Sequence, residues 1–192
     1  GRPPYTLSGI LRSLVLWAVF VTACLLTILS ILVLLPVPIS KLRKQRTVRL
    51  IASKLCRLTI KSFYKAKSKV ENPFGEDFSK PCVVVANHNS YLDIVWMLAL
   101  SPNLLILAKQ WVRKVPIFYP VAKFMGFFYT DEGFSSITDE FSQRVKDGWS
   151  LVVFPEGTRQ TDGRIHRFHK GAFYTACTLG LDIVPVAMYG ND

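Results

Sequence analysis

From residue 13 to residue 40 the chain carries no ionisable side chain except Cys24, and Leu, Val, Ile and Ala dominate. No other stretch restricts the fold as much. As a helix it would reach about 42 Å at 1.5 Å per residue, against roughly 30 Å of bilayer hydrocarbon, even with Pro36 and Pro38 breaking its last turns. A core helix of this length ordinarily keeps a polar face. A cleaved signal sequence is shorter and ends in a small-residue site, which this stretch lacks. Residues 1–40 are therefore expected to form a membrane-anchoring helix.

The net charge of +11 belongs to one segment. Residues 41–69 hold eleven Lys and Arg and no acid, while the thirteen remaining basic residues balance the thirteen acids. Positive charge packed against an apolar span favours the cytoplasmic side and attracts anionic lipid headgroups. Leu50, Ile51, Leu55, Leu58 and Phe63 recur near helical spacing, so residues 41–70 are expected to form a basic amphipathic helix lying along the interface. Nucleic acid is the competing partner for a basic stripe, but no nucleic-acid-binding motif accompanies it. Cys24, Cys56, Cys82 and Cys177 form no close pair or Cys-x-x-Cys unit, which predicts reduced thiols and no structural zinc. A first residue that is not Met and an end just after an apparent strand are what a piece of a longer chain, truncated at its C-terminus, would have.

Beyond the turn-forming Asn72-Pro73-Phe74-Gly75, short apolar runs alternate with longer helical patterns. Strands are expected at 83–86, 104–107, 127–129, 151–154 and 183–187, and helices at 91–100, 112–124, 135–146 and 171–179. Alternation of this kind predicts an α/β domain over residues 71–192, its largely parallel sheet flanked by helices. Ligands in such folds gather at the carboxyl ends of the strands. Two strand ends carry chemistry there.

The first expected strand runs into Asn87-His88-Asn89-Ser90-Tyr91-Leu92-Asp93. Five helical positions turn roughly 140°, so His88 and Asp93 meet only if His88 lies in the turn and Asp93 in the first helical turn. The same residues also suit a plain capping box, with Ser90 as the cap and Asp93 three residues on. The second end delivers Pro155-Glu156-Gly157-Thr158-Arg159, a loop suited to an anionic headgroup through the Arg159 fork, Thr158 and backbone N–H groups. An ordinary turn with solvated charges is the alternative. Arg164, Arg167, His169 and Lys170 make the following segment basic, which suits phosphate and equally suits a solvent face. Phe124, Phe127, Phe128 and Tyr129 are read as core more than as an acyl channel.

Taken together, these motifs closely resemble the glycerolipid acyltransferase family that includes 1-acyl-glycerol-3-phosphate acyltransferases. Asn87 to Asp93 matches its Asn-His-x-Ser-x-x-Asp motif, and Phe154 to Arg159 matches its Phe-Pro-Glu-Gly-Thr-Arg motif. Ile183-Val184-Pro185-Val186 looks like a further block, Lys109 through Pro116 to Gly126 resembles a less specific one, and Lys170-Gly171 fits the lysine-glycine before a helix. The resemblance implies acyl transfer from acyl-CoA or acyl carrier protein to a lysophospholipid hydroxyl, without metal or cofactor. His88 would be the general base and Asp93 its orienting partner, with N–H groups at the following helix start as oxyanion donors. Asn87, Ser90, Lys109, Glu156, Gly157, Thr158, Arg159 and Lys170 would bind substrate. A covalent acyl group on Cys82 or Ser90 is a less favoured route. Glu132 stands where the family often has an arginine, which would place a reversed charge near the acceptor phosphate. A lipid-binding module without catalysis and a thioester hydrolase are the alternatives in function.

Overall fold

The computed structural model describes residues 7–64, 69–90, 92–160 and 164–189. Lys65, Lys67 and Tyr91, which belong to the expected basic helix and third helix, lie outside them. The chain begins with α1 (Leu7–Leu34) and α2 (Lys41–Tyr64). Five parallel strands follow: β1 (Cys82–Ala86), β2 (Leu104–Ala108), β3 (Phe128–Tyr129), β4 (Ser150–Val153) and β5 (Asp182–Val186), in the order β3-β2-β4-β1-β5. Between them lie α3 (Leu92–Leu100), α4 (Phe118–Phe124), α5 (Phe134–Lys146) and α6 (Gly171–Leu179). This is the expected α/β sheet with flanking helices.

Leu14–Leu34 is a helical stretch long and apolar enough to cross a membrane. Its hydroxyls are spent inside the helix: Thr22 donates to Ala18 O at 2.8 Å, Thr27 to Ala23 O at 2.8 Å and Ser30 to Thr27 O at 2.7 Å, so an apolar surround leaves none of these three donors stranded. Cys24, Thr27 and Ile31 are buried at helical spacing, and Phe20 meets Phe118 of α4 with ring centroids 5.9 Å apart. The other faces expose Leu14, Trp17, Leu25, Leu29 and Val33. One stripe of α1 is thus packed on the domain, and large apolar side chains from Leu14 to Val33 stand open on its other faces.

The basic helix α2 is divided too. Lys54, Leu50, Leu58 and Lys61 are exposed, but three of its arginines turn to helix and strand ends. Arg46 donates to Asp147 O at 2.8 Å after α5, and Arg57 donates to Ala99 O at 2.7 Å and Leu100 O at 3.2 Å at the end of α3. Arg49 is only 1% exposed. Its guanidinium donates to Pro102 O and Met125 O, both at 2.6 Å, and to Leu104 O, and it sits 4.9 Å from the Trp149 ring centroid. Burial first, and then the charge of Arg144, lowers its pKa to about 9, which leaves it charged at neutral pH. Cationic donors at carbonyl-rich helix ends also oppose the negative end of the macrodipole.

The strands are read correctly to within a residue or two, and the one misread helix has a local cause. The expected helix over 112–124 is split into a 3-10 turn (Gln110–Lys114) and α4. Pro116 forces Val115 into extended geometry, φ −92° and ψ 104°. In the sheet centre, β1 and β4 pair through Val83↔Leu151, Val84↔Val152 and Val85↔Val153. Both strands are buried along their length, as expected where helices cover both faces. The residues after Ala86 and after Val153 therefore emerge side by side.

Candidate active site

Asp93 organises the turn after β1. Its Oδ2 accepts from His88 Nδ1 at 2.8 Å, from Asn89 N at 2.8 Å and from Ser90 N at 2.9 Å. Ser90 Oγ accepts from Leu92 N at 3.3 Å. The capping box and the His-Asp pair, set against each other as readings of the sequence, coexist on one carboxylate oxygen. Asp93 is fully buried, while the His88 side chain keeps 16% exposure. With a carboxylate accepting at Nδ1, that nitrogen carries the proton and Nε2 is left with its lone pair.

The second motif holds His88 from the other side. The ring of Phe154, first residue after β4, stacks on the imidazole with centroids 4.4 Å apart and an interplanar angle of 27°. Gln160 N donates to His88 O at 2.8 Å. Both strand ends open into a cavity of about 430 Å³, within the usual range for a small-molecule site. His88, Lys109, Thr130, Thr158, Arg159 and His169 line it with polar side chains, Trp111 adds an indole, and no carboxylate lines it among the described residues. Ile94, Leu107, Val112, Phe134 and Phe154 supply apolar wall.

Two glycines shape this wall. Gly157 has φ +67°, a left-handed conformation, and a Cβ there would stand 3.3 Å from the His169 ring. Gly171 opens α6 under the Phe134 ring, which a Cβ would meet at 2.2 Å.

Several expected roles change. Asn87 is 5% exposed and spends its amide on Met188 after β5, accepting from Met188 N at 2.7 Å and donating to Met188 O at 2.9 Å. It ties β1 to β5 and does not line the cavity. Ser90 serves the helix cap, Glu156 is buried off the cavity, and Lys170, just before α6, is exposed and does not line it. Lys109, Gly157, Thr158 and Arg159 do line it. The N–H groups of Asn89 and Ser90 are committed to Asp93, and those of Leu92 and Asp93 to Ser90, so the helix start has none of these four to offer an oxyanion. Cys82 lies at the opposite end of β1, is 3% exposed, and has its thiol pKa raised by burial. It is no acyl carrier for this site.

Glu132 is corrected as well. Arg113 donates to Asp131 Oδ2 at 2.7 Å and to Glu132 Oε1, with its guanidinium 4.1 Å from the Tyr129 ring centroid. Neither acid lines the cavity, so the reversed charge is paired outside it. Phe127, Phe128 and Tyr129 are buried in the core, and none of the four aromatic residues read as core or channel lines the cavity. The Phe154 stack escaped the sequence reading. His169 was read only as one member of a basic segment suited to phosphate or to solvent, not as a residue of this cavity.

The parallel α/β sheet thus brings a histidine-aspartate pair at one strand end and a cationic loop at the next to one cavity. A profile of the Acyltransferase family matches residues 62–189, and the chain belongs to that family. It is 33% identical over 146 residues to the chloroplastic 1-acyl-sn-glycerol-3-phosphate acyltransferase BAT2 of Brassica napus, covering 73% of this chain and 42% of the relative. It is 32% identical over 136 residues to human 1-acyl-sn-glycerol-3-phosphate acyltransferase beta, covering 67% and 48%. The chain thus spans less than half the length of these curated relatives. Its fold is also that of the 1-acyl-sn-glycerophosphate acyltransferase PlsC from Thermotoga maritima, with a TM-score of 0.73 at 23% identity, covering 94% of this chain and 75% of the other.

Proposed function

We propose that this chain carries an O-acyltransferase site that moves a fatty acyl group from a thioester, acyl-CoA or acyl carrier protein, to the free hydroxyl of a 1-acyl-glycerol-3-phosphate. The 2.8 Å contact between His88 Nδ1 and the fully buried Asp93 carries the reading. It leaves Nε2 as the base at a cavity that holds cations and, among the described residues, no acid. Nε2 takes the hydroxyl proton as the oxygen attacks the thioester carbonyl. The tetrahedral intermediate then expels the thiolate, which takes the proton back from the imidazolium. An ester and a free thiol result, and Asp93 stabilises the charged imidazolium between the two steps. No enzyme nucleophile enters.

Lys109, Thr158 and Arg159 are assigned to the acceptor phosphate, and the names of the relatives favour that headgroup. The exposed apolar faces of α1 and the exposed basic positions of α2 are assigned to lipid on the cytoplasmic leaflet, with anionic headgroups against Lys41, Lys54 and Lys61. The test offers labelled acyl-CoA, or acyl carrier protein, and lysophosphatidic acid to membranes containing wild type or His88→Ala. Diacyl product from wild type alone is expected. Free fatty acid formed equally with and without acceptor would instead assign thioester hydrolysis. Acceptor binding without turnover in either form would leave a lipid-binding module.

A further inference from the structure

His169 stands ten residues beyond Arg159, outside both strand-end motifs, yet it lines the same cavity as His88 and Lys109. Its position is built. The backbone N–H of His169 donates to Pro155 O at 2.8 Å. The preceding Phe168 ring packs into the core against Phe173, with centroids 6.4 Å apart. The imidazole packs close over Gly157, where a Cβ would lie 3.3 Å from Cδ2 and 3.4 Å from Nε2 and would crowd the ring. Among the described residues the ring nitrogens make no hydrogen bond, and the Lys109 ammonium also holds no partner. Of the acids beside the cavity, Asp131 and Glu132 are occupied by Arg113 and Asp93 by His88, while Glu156 is buried and does not line it.

We infer that His169 is a binding residue for a phosphate monoester, donating from its ring to the headgroup that Lys109, Thr158 and Arg159 neutralise. A dianion gains from each added charged or polarised donor in a partly enclosed site. The ligand chemistry is shared by two sources, the acceptor headgroup and the 3′-phosphate of acyl-CoA, and the inference commits to the acceptor. It rests on the acyltransfer reading for the identity of that acceptor, but not for the presence of the anion site.

The experiment compares wild type, His169→Ala and His169→Gln, each as the full chain in detergent micelles. Substrates are acyl-CoA with lysophosphatidic acid or with uncharged monoacylglycerol. His169→Ala is expected to raise the KM for lysophosphatidic acid about tenfold, with kcat and the monoacylglycerol KM within about twofold. His169→Gln, which keeps a donor, recovers part of the loss. An equal loss on both acceptors, a change confined to the acyl-CoA KM, or no change at all overturns the inference. A second arm needs no turnover: inorganic phosphate should raise the melting temperature of wild type and less so that of His169→Ala. If wild type acylates nothing while that difference persists, the acyltransfer reading fails and the anion site stands. If phosphate stabilises both forms alike, the site itself is overturned.

Discussion

At the carboxyl ends of β1, β2 and β4 the side chains of Lys109, Arg159 and His169 border open space, whereas at the amino ends of β2 and β3 Arg49 is closed inside protein and given three backbone carbonyls. Both places use side chains rich in N–H donors. At the carboxyl pole no acid lines the cavity, and for Lys109 and His169 no protein acceptor among the described residues fills the donor capacity, so a ligand can. At the amino pole Pro102, Leu104 and Met125 each accept from one of the three Arg49 nitrogens, and the charge becomes part of the fold. What a cation does depends on who else can accept from it, and charge counting along the chain is blind to that.

The contrast predicts that substitutions at the two poles fail differently. His88→Ala should lower kcat about a thousandfold, the range expected for removal of a general base, with a smaller loss of fold stability of about 1–2 kcal/mol, since the Phe154 stack and one donor to buried Asp93 go with the ring. Asp93→Asn should lower kcat about a hundredfold and also weaken the fold, because the same oxygen caps α3 through Ser90 N at 2.9 Å. Kinetics and chemical denaturation of the same preparations measure both. If His88→Ala loses stability as severely as activity, the poles are not separable.

Arg49→Ala should do the reverse. It strands three buried carbonyl oxygens, each worth about 1–3 kcal/mol when left without a donor, so a total near 4 kcal/mol is expected after local relaxation. The fraction that remains folded should keep its kcat and KM. Arg49→Lys should recover only part of the loss, since one ammonium lacks the planar fork that reaches three separate acceptors. Denaturant titration followed by Trp149 fluorescence reports it directly, because that ring lies 4.9 Å from the guanidinium. A loss under about 1 kcal/mol would mean that Arg49 sits beside these carbonyls without holding them.

Phe154→Leu probes the carboxyl pole more gently. The ring stacks on His88 at 4.4 Å, and replacing an aromatic contact of that kind removes about 0.5–1.5 kcal/mol. A three- to tenfold fall in kcat is expected, with KM for lysophosphatidic acid little changed. An equal rise in KM would place Phe154 against substrate and not behind the base.

How legible each pole was follows from how local its information is. The turn after β1 spells its own geometry: Ser90 and Asp93 stand three apart, and His88 can meet Asp93 only across that turn. The capping alternative was the same structure seen from the helix side. Arg49 gave no such sign. Its three acceptors lie more than fifty residues downstream, and in sequence it is one of eleven basic residues in a run read as a lipid-facing surface. Asn87 and Glu132 were misassigned for the same reason. Met188 lies 101 residues from Asn87, and Arg113 meets Glu132 only because a 3-10 turn follows β2. His169 was read as part of a basic segment, but its seat at the cavity depends on its backbone bond to Pro155 O and on its packing over Gly157, which composition does not express.

The smallest predicted effect concerns α2 alone and tests whether the amino pole is a packed interior. Burial, and after it the nearby Cys24, raises the Cys56 thiol pKa to about 12 from an ordinary value of 9. Between those values the folded chain keeps a proton that the unfolded chain has released, so the folded state binds more protons and stability falls as pH rises. Arg49, lowered to about 9, acts in the opposite sense: above pH 9 the unfolded chain holds the extra proton, and stability rises. The two contributions oppose each other on one helix. Cys56→Ser removes the falling one, so the stability difference between Cys56→Ser and wild type should shift in favour of the variant between pH 8 and pH 10.5, measured by denaturant titration at each pH. Comparing the two proteins at the same pH cancels the lysines and tyrosines that titrate in that range. A difference independent of pH would mean that Cys56 ionises as readily in the folded chain as in the unfolded one, and that α2 is held less tightly against α1 than Arg49 is held against the strand ends.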